Sequence, residues 1–416
     1  MLKWKSSAKP EIILERIQAC RTLQSDGIHY SFESWPLDQN APILETMLDF
    51  PEEILRDDWP SIVWKGISGV VGDLTKDSFI QSAKKAISVY GAKPNTRYDL
   101  LTTISIRKDT LPKNFSYDGC SVKFYREDFP KKYQSRSNLF NITPELVVEV
   151  PYNYARVVVQ VVDKTAEKAF EQASRKLDVV RSIWNLLYNH IGSTQIGGKL
   201  RPINRIRLGS THTVHMPAGE PASEQYWYEP NFSPTDPFIV ENQDRFQSEV
   251  KNWLKFLAKS TYSDRITRAL VLSVRALDEP DPNTSFIRLW TALEHLTSSE
   301  QADHQAIIRR CSFLSPDPER AALLLNHLRH YRNSSVHNGN QSTYAKRETY
   351  LLLNIFRDLV QFHLGTGSLF GSFAETNEML DLSPNIDVLR KKLILIQRGI
   401  KYRTPRLSVT NRFTAP

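Results

Sequence analysis

The stretch "SPDPERAALLLNHLRHYRNSSVHNG", residues 315–339, decides how this chain is read. It opens as a helix start: Ser315 or Asp317 can cap, Pro318 suits the first turn, and Glu319 favours the positive end of the dipole. It closes on Arg332, Asn333 and His337, three polar side chains within six positions. Either they are the polar finish of an ordinary helix, or they perform chemistry.

The surrounding pattern is helical. Apolar periodicity predicts helices near 242–260, 263–278, 284–298, 303–314, 317–335, 343–364 and 385–398, so residues 241–400 read as an all-α bundle. Residues 1–240 have a different texture. "YDLLTTISIR" (98–107), "CSVKFY" (120–125), "ELVVEVPY" (145–152) and "ARVVVQVVD" (155–163) are rich in β-branched residues and predict strands. After them, residues 164–190 set Ala166, Phe170, Leu177, Val180, Ile183, Trp184 and Leu187 at helical spacing. The expected architecture is therefore an α+β N-terminal domain followed by a helical bundle. Pro217, Pro221, Pro230, Pro234 and Pro237 mark 217–240 as a linker or long surface loop, and residues 401–416 as a basic, poorly ordered tail are expected to follow the bundle.

With 416 residues, two or three domains are expected; 40% hydrophobic and 24% charged residues exclude a disordered chain. A net charge of +8 favours a polyanionic partner, nucleic acid ahead of membrane. Cys20, Cys120 and Cys311 lie far apart without a CxxC pair, which suits a reducing compartment. The N-terminus has no apolar core of signal-peptide length, and no run approaches the ~20 apolar residues of a membrane span. A cytoplasmic location is expected.

Arg332 and His337 suit the cleavage of RNA. Attack by a ribose 2′-hydroxyl on the adjacent phosphate needs proton transfer near neutral pH, the range of an imidazole. It also needs a fixed positive donor for the charge gathering on the phosphorane, which a guanidinium supplies without a metal. The spacing alone is weak evidence, because Arg207 and His212 in "RLGSTH" repeat it in strand- or loop-like sequence. Context favours the later pair. It closes a helix in a helical region, and Asn333 and His337, four apart, share a face if that helix continues. Arg332 lies ~140° from His337 on an ideal helix, so either the long side chain bends round or the helix breaks at Ser334-Ser335. An upstream helix, "SFIRLWTALEHLTSS" (285–299), carries Glu294 beside an apolar stripe of Phe286, Leu289, Trp290 and Leu293.

"FIRLWTALEHL" followed by "YRNSSVHNG" resembles the HEPN superfamily, specifically its ApeA-like branch, over about residues 242–365. The resemblance implies a metal-independent endoribonuclease whose active site forms between two HEPN domains, of a kind found in toxin–antitoxin, CRISPR-associated and anti-phage abortive systems. It marks Arg332, Asn333 and His337 as catalytic, with Glu294 as a further site residue, and implies no cofactor. Gly339 stands where some HEPN toxins carry a tyrosine, so their tyrosine-dependent modification finds no support here. RNA is the implied substrate, a homodimer the expected assembly, and a phage-derived trigger or an antitoxin a further expected partner. Residues 1–240 would then sense a signal or position the substrate. Many HEPN domains have lost catalysis, so a non-catalytic module binding RNA or a protein is the alternative.

A second expected RNA contact is "KFYREDFPKKYQSR" (123–136), where Lys131, Lys132 and Arg136 offer cations and Tyr133 a ring for a base. A solvated loop with half-buried aromatics explains the same composition. His327, His330 and His337 lack a nearby Cys or placed carboxylate, and His212 and His215 point to opposite faces of a strand, so no metal site is expected. "GISGVVG" (66–72) misses both phosphate-loop patterns and reads as a turn.

Overall fold

The computed structural model describes residues 1–25, 30–51, 54, 56–141, 143–192, 200–297, 304–338 and 344–404. Two compact units divide the chain, Met1–Thr96 and Arg97–Pro416.

The first unit is mainly helical. It contains α1 (Glu11–Ala19), α2 (Ser34–Met47), α3 (Trp59–Ser68) and α4 (Lys76–Ala92). Two short ribbons accompany them, β1 (Lys3–Trp4) with β4 (Leu48–Asp49), and β2 (Arg21–Leu23) with β3 (Tyr30–Phe32). A capping box starts α4, in which Thr75 and Ser78 each answer the other's backbone N–H. Leu14, Ile17, Leu44, Val63, Ile67 and Phe79 form the core. Gly66 lets α3 approach α4: a Cβ there would stand 2.9 Å from the Phe79 ring. The expected turn at 66–72 is thus only partly a turn, since Gly66 lies inside α3 and Gly69 caps its end.

The second unit holds a six-stranded sheet ordered β10-β9-β5-β8-β7-β6. Its strands are β5 (Thr96–Arg107), β6 (Phe115–Tyr117), β7 (Cys120–Tyr125), β8 (Tyr154–Asp163), β9 (Thr211–His215) and β10 (Trp227–Tyr228). Helix α5 (Arg136–Leu139) lies between β7 and β8, and α6 (Ala166–Tyr188) follows β8. Strands β5 and β8 are buried along almost their whole length, so both faces of the sheet are covered. "ELVVEVPY" is not a strand. Pro144 opens a 3-10 turn, and Val148 and Tyr152 are exposed rather than packed.

Beyond the sheet come α7 (Gln243–Lys259), α8 (Ser263–Leu277), α9 (Pro282–Thr297), α10 (His304–Phe313), α11 (Pro318–Asn338), α12 (Ala345–Thr366), α13 (Phe373–Leu380) and α14 (Ile386–Arg403). Apolar periodicity places these helices within a few residues, apart from α13, which is too short to show it. Helix α9 packs against α8, α10, α11 and α12, burying Phe286, Leu289, Trp290, Leu293 and Leu296. At roughly 1.5–3 kcal/mol for each large side chain, that burial outweighs any helix propensity. Helix α14 buries none of its residues and runs through Arg403, into the span expected to be tail. Residues 405–416 lie outside the described residues.

The division expected near residue 240 is not where the chain divides. One core joins Val157 and Val159 of the sheet, Val180 and Trp184 of α6, Phe246 of α7 and Leu293 of α9. From Leu177 to Leu186 every residue of α6 is buried, because the sheet covers one side and α7 and α8 the other. Trp184 stacks on Phe246 at 4.7 Å and meets Phe124 at 6.3 Å. Nor is the proline-rich stretch a free linker. Tyr154 Oη donates to Thr235 O (2.9 Å), and Phe238 N to Ser105 O (2.7 Å), so the segment is pinned to the sheet.

Candidate functional site

Helix α11 continues through Ser334 and Ser335 to Asn338 without a break. Of the two geometries open to the motif, the helix keeps the continuous one. Asn333 and His337 therefore share a face of its last turns, and Arg332 sits ~140° round from His337. Arg332 and Asn333 are half-buried, and Arg332 Nη1 donates to Asn333 Oδ1 at 3.4 Å, a long hydrogen bond. The His337 side chain lies outside the described residues, as does Gly339. Within the same turns Ser335 Oγ is buried without a hydrogen-bond partner among the described residues.

Neighbouring elements fix this end of α11. The Tyr331 hydroxyl donates to Asn283 Oδ1 at the start of α9, and its ring meets Phe286 edge-on at 4.7 Å. One turn earlier, His327 Nε2 lies 3.1 Å from Glu348 Oε2 on α12. Arg347 donates to the other Glu348 oxygen at 2.6 Å, so this buried carboxylate is held from both sides. Glu294 is placed differently. Its Oε1 accepts from Trp290 Nε1 at 2.8 Å, and it lies about three turns along α9 from Asn283, roughly 16 Å at 1.5 Å per residue.

The second expected surface is turned inward. Tyr133 is 3% exposed and its hydroxyl donates to Asp99 Oδ2 at 2.7 Å. Arg136 donates to Thr213 Oγ1 (3.0 Å) and Thr211 O (3.3 Å) on β9, between the rings of Phe129 and Phe140, and burial lowers its pKa to about 10. Lys132 donates to Pro217 O at 2.7 Å. Tyr133 and Arg136 are thus corrected from RNA contacts to packing residues: with Leu101 and Val158 beneath Tyr133, the segment covers one face of the sheet. Lys131 and Lys132 are exposed, and they are the members of that set that face solvent.

The Arg207–His212 pair is also structural. His212 Nδ1 lies 2.7 Å from Thr102 Oγ1 and Nε2 3.1 Å from Glu229 Oε1, while Arg207 donates to the carbonyls of Ser233 and Asn231 at 3.1 and 3.2 Å. From Glu229 the chain of contacts runs through Arg275 to Asp178, Arg181, Asp278 and Asn204, tying the sheet to α6 and α8. Burial alone would raise the Glu229 pKa, but His212 and Arg275 hold it well below the usual carboxylate range. The signal was present: Asp178 and Arg181 stand inside the apolar face of α6, where a charge needs a partner.

Sequence reasoning also missed a basic cleft of about 950 Å3 where α6, α7 and α8 meet the β6–β7 hairpin. Lys251 and Lys255, four apart on α7, were its legible trace. Among the described residues no group of His, Cys, Asp and Glu is arranged to hold a metal ion, and no helix is long and apolar enough to cross a membrane. No protein-family model matches the chain, and neither does any curated protein or solved structure.

Proposed function

We propose that this chain is a HEPN-type endoribonuclease that cleaves RNA by 2′-hydroxyl transesterification, acting as a cytoplasmic homodimer in bacterial anti-phage or toxin-type defence. The observation that carries this reading is the unbroken α11, which sets Asn333 and His337 on one face at the helix end with Arg332 bonded to Asn333. In the reaction the 2′-oxygen bonds to phosphorus and the P–O5′ bond breaks. One His337 accepts the 2′ proton, and that of the second copy protonates the departing 5′-oxygen, as a two-fold interface allows. Arg332 neutralises the phosphorane oxygens. The products are a 2′,3′-cyclic phosphate and a 5′-hydroxyl. Residues 1–240 sense the trigger, a phage product or an antitoxin, or position the RNA.

The test is end-group analysis of RNA incubated with the purified protein in excess EDTA. Cyclic phosphate ends are expected, lost in His337→Ala and retained in His212→Ala; free 3′-hydroxyl ends, or cleavage only with added divalent metal, overturn the mechanism. DNA, without a 2′-hydroxyl, should remain uncut.

One observation favours the second reading, a non-catalytic module that binds RNA or a protein partner. Helix α14 exposes Leu393, Leu395, Ile396 and Ile400 at 54–64% each, beside Arg390, Lys391, Lys392 and Arg398. A face of that kind is suited to a partner chain. Protein that binds RNA or a partner yet cleaves nothing would establish this reading in place of the first.

A further inference from the structure

Apart from His295, which stands on α9 next to Glu294, the basic cleft is built by elements that the proposed ribonuclease site does not use. None of its lining residues belongs to α11. Arg175 of α6, Lys251 and Lys255 of α7 and Arg268 of α8 all face it, and none makes an ion pair or side-chain hydrogen bond among the described residues. Two acids share the lining: Asp118 is held by Lys176, and Asp264 stands in the first turn of α8. Like charges gathered around a concave wall repel one another, and a polyanion relieves that repulsion.

Two uncharged groups narrow the ligand further. Gln172 Oε1 and His295 Nε2 are buried in the lining without a partner among the described residues. Burial, with Arg265 and Arg268 adding to it, presses the His295 pKa down to about 4, so the imidazole is neutral at pH 7. Gln172 Oε1 can only accept a hydrogen bond, and the ionised oxygens of a polyphosphate also only accept, so they leave it unanswered. The ligand that satisfies the wall carries N–H or O–H donors as well as phosphates. A cleft of about 950 Å3 falls within the size of sites for small ligands and cofactors.

We propose that this cleft binds a nucleotide, with its phosphates on Arg175, Lys251, Lys255 and Arg268 and a donor of its base or ribose on Gln172 Oε1. A free nucleotide and the phosphorylated end of an RNA strand present the same chemistry. Binding here is independent of cleavage at Arg332 and His337, so either can fail without the other.

Calorimetric titration of the full chain with ATP, inorganic triphosphate and a 5′-phosphorylated tetraribonucleotide tests it. ATP or the tetranucleotide is expected to bind more tightly than triphosphate; the tighter of the two identifies the source. The double variant Lys255→Glu/Arg268→Glu should weaken binding by about tenfold or more, since exposed cations carry the phosphate contact. Gln172→Leu should cost the nucleotide about fivefold and leave triphosphate unchanged. Thermal melts confirm that each variant is folded; Arg175→Glu/Lys251→Glu replaces a pair that is not. Absence of binding at ~1 mM nucleotide, equal affinity for triphosphate, or indifference to charge reversal overturns the proposal.

Discussion

Arg207 with His212 and Arg332 with His337 share a spacing and little else. The first pair lies in the sheet region, where His212 has both ring nitrogens engaged and Arg207 holds two backbone carbonyls. The second closes a helix, half-buried at Arg332 and Asn333, with a long hydrogen bond between them. A buried imidazole with both nitrogens engaged, as in His212, stabilises a fold and has nothing left for a substrate. Spacing does not report capacity; surroundings do.

The largest effect should come from the network to which the first pair belongs. Arg181 is fully buried between Asp178 and Asp278, so Arg181→Met leaves Asp278 without its cation and Asp178 with Arg275 alone, and should cost about 3–5 kcal/mol in urea unfolding. A loss under about 1 kcal/mol would show that the network is dispensable and dissolve the contrast.

Acid should act next. Burial holds the His363 pKa at about 4, against the opposing hydrogen bond to Leu296 O, so the folded state keeps this imidazole neutral. Between pH 6.5 and 4 the unfolded chain takes up a proton that the folded chain refuses, and stability falls as pH falls through that window. The loss is at most about 3 kcal/mol for this group. Below it, the depressed Glu229 pKa removes further stability as that carboxylate becomes protonated. Thermal melts from pH 7 to 4 should show the decline, and His363→Gln should flatten its upper part.

A smaller change is expected from His212→Ala, which deprives Thr102 and Glu229 of a partner: about 1–3 kcal/mol of stability, with RNA cleavage retained per folded molecule. Smallest in stability is Arg332→Lys, within about 0.5 kcal/mol, although cleavage should fall steeply because the planar fork is gone. Stability loss at Arg332 equal to that at His212 would erase the distinction between the two pairs.

Much of the fold was legible because helices announce themselves in one dimension. The stripe of Phe286, Leu289, Trp290 and Leu293 places α9, and the Asp317–Pro318–Glu319 start places α11. Strands β5, β7 and β8 were legible from β-branched runs, whereas the valines of 145–152 misled because Pro144 and Pro151 keep that segment out of the sheet. The candidate site was legible only as residues on one helix. The inward turn of Tyr133 and Arg136 and the cleft between α6, α7 and α8 both depend on how elements meet, which local periodicity does not encode.

Helix α6 has a consequence for inheritance. A segment enclosed from Leu177 to Leu186 by the sheet on one side and by α7 and α8 on the other belongs to both halves of its unit at once. A recombination breakpoint near residue 240 would hand one descendant a sheet and helix with an uncovered flank, and the other a bundle lacking its centre. Sheet and bundle can therefore be acquired, lost or exchanged between genes only as a single piece, with each side constraining which substitutions the other can accept.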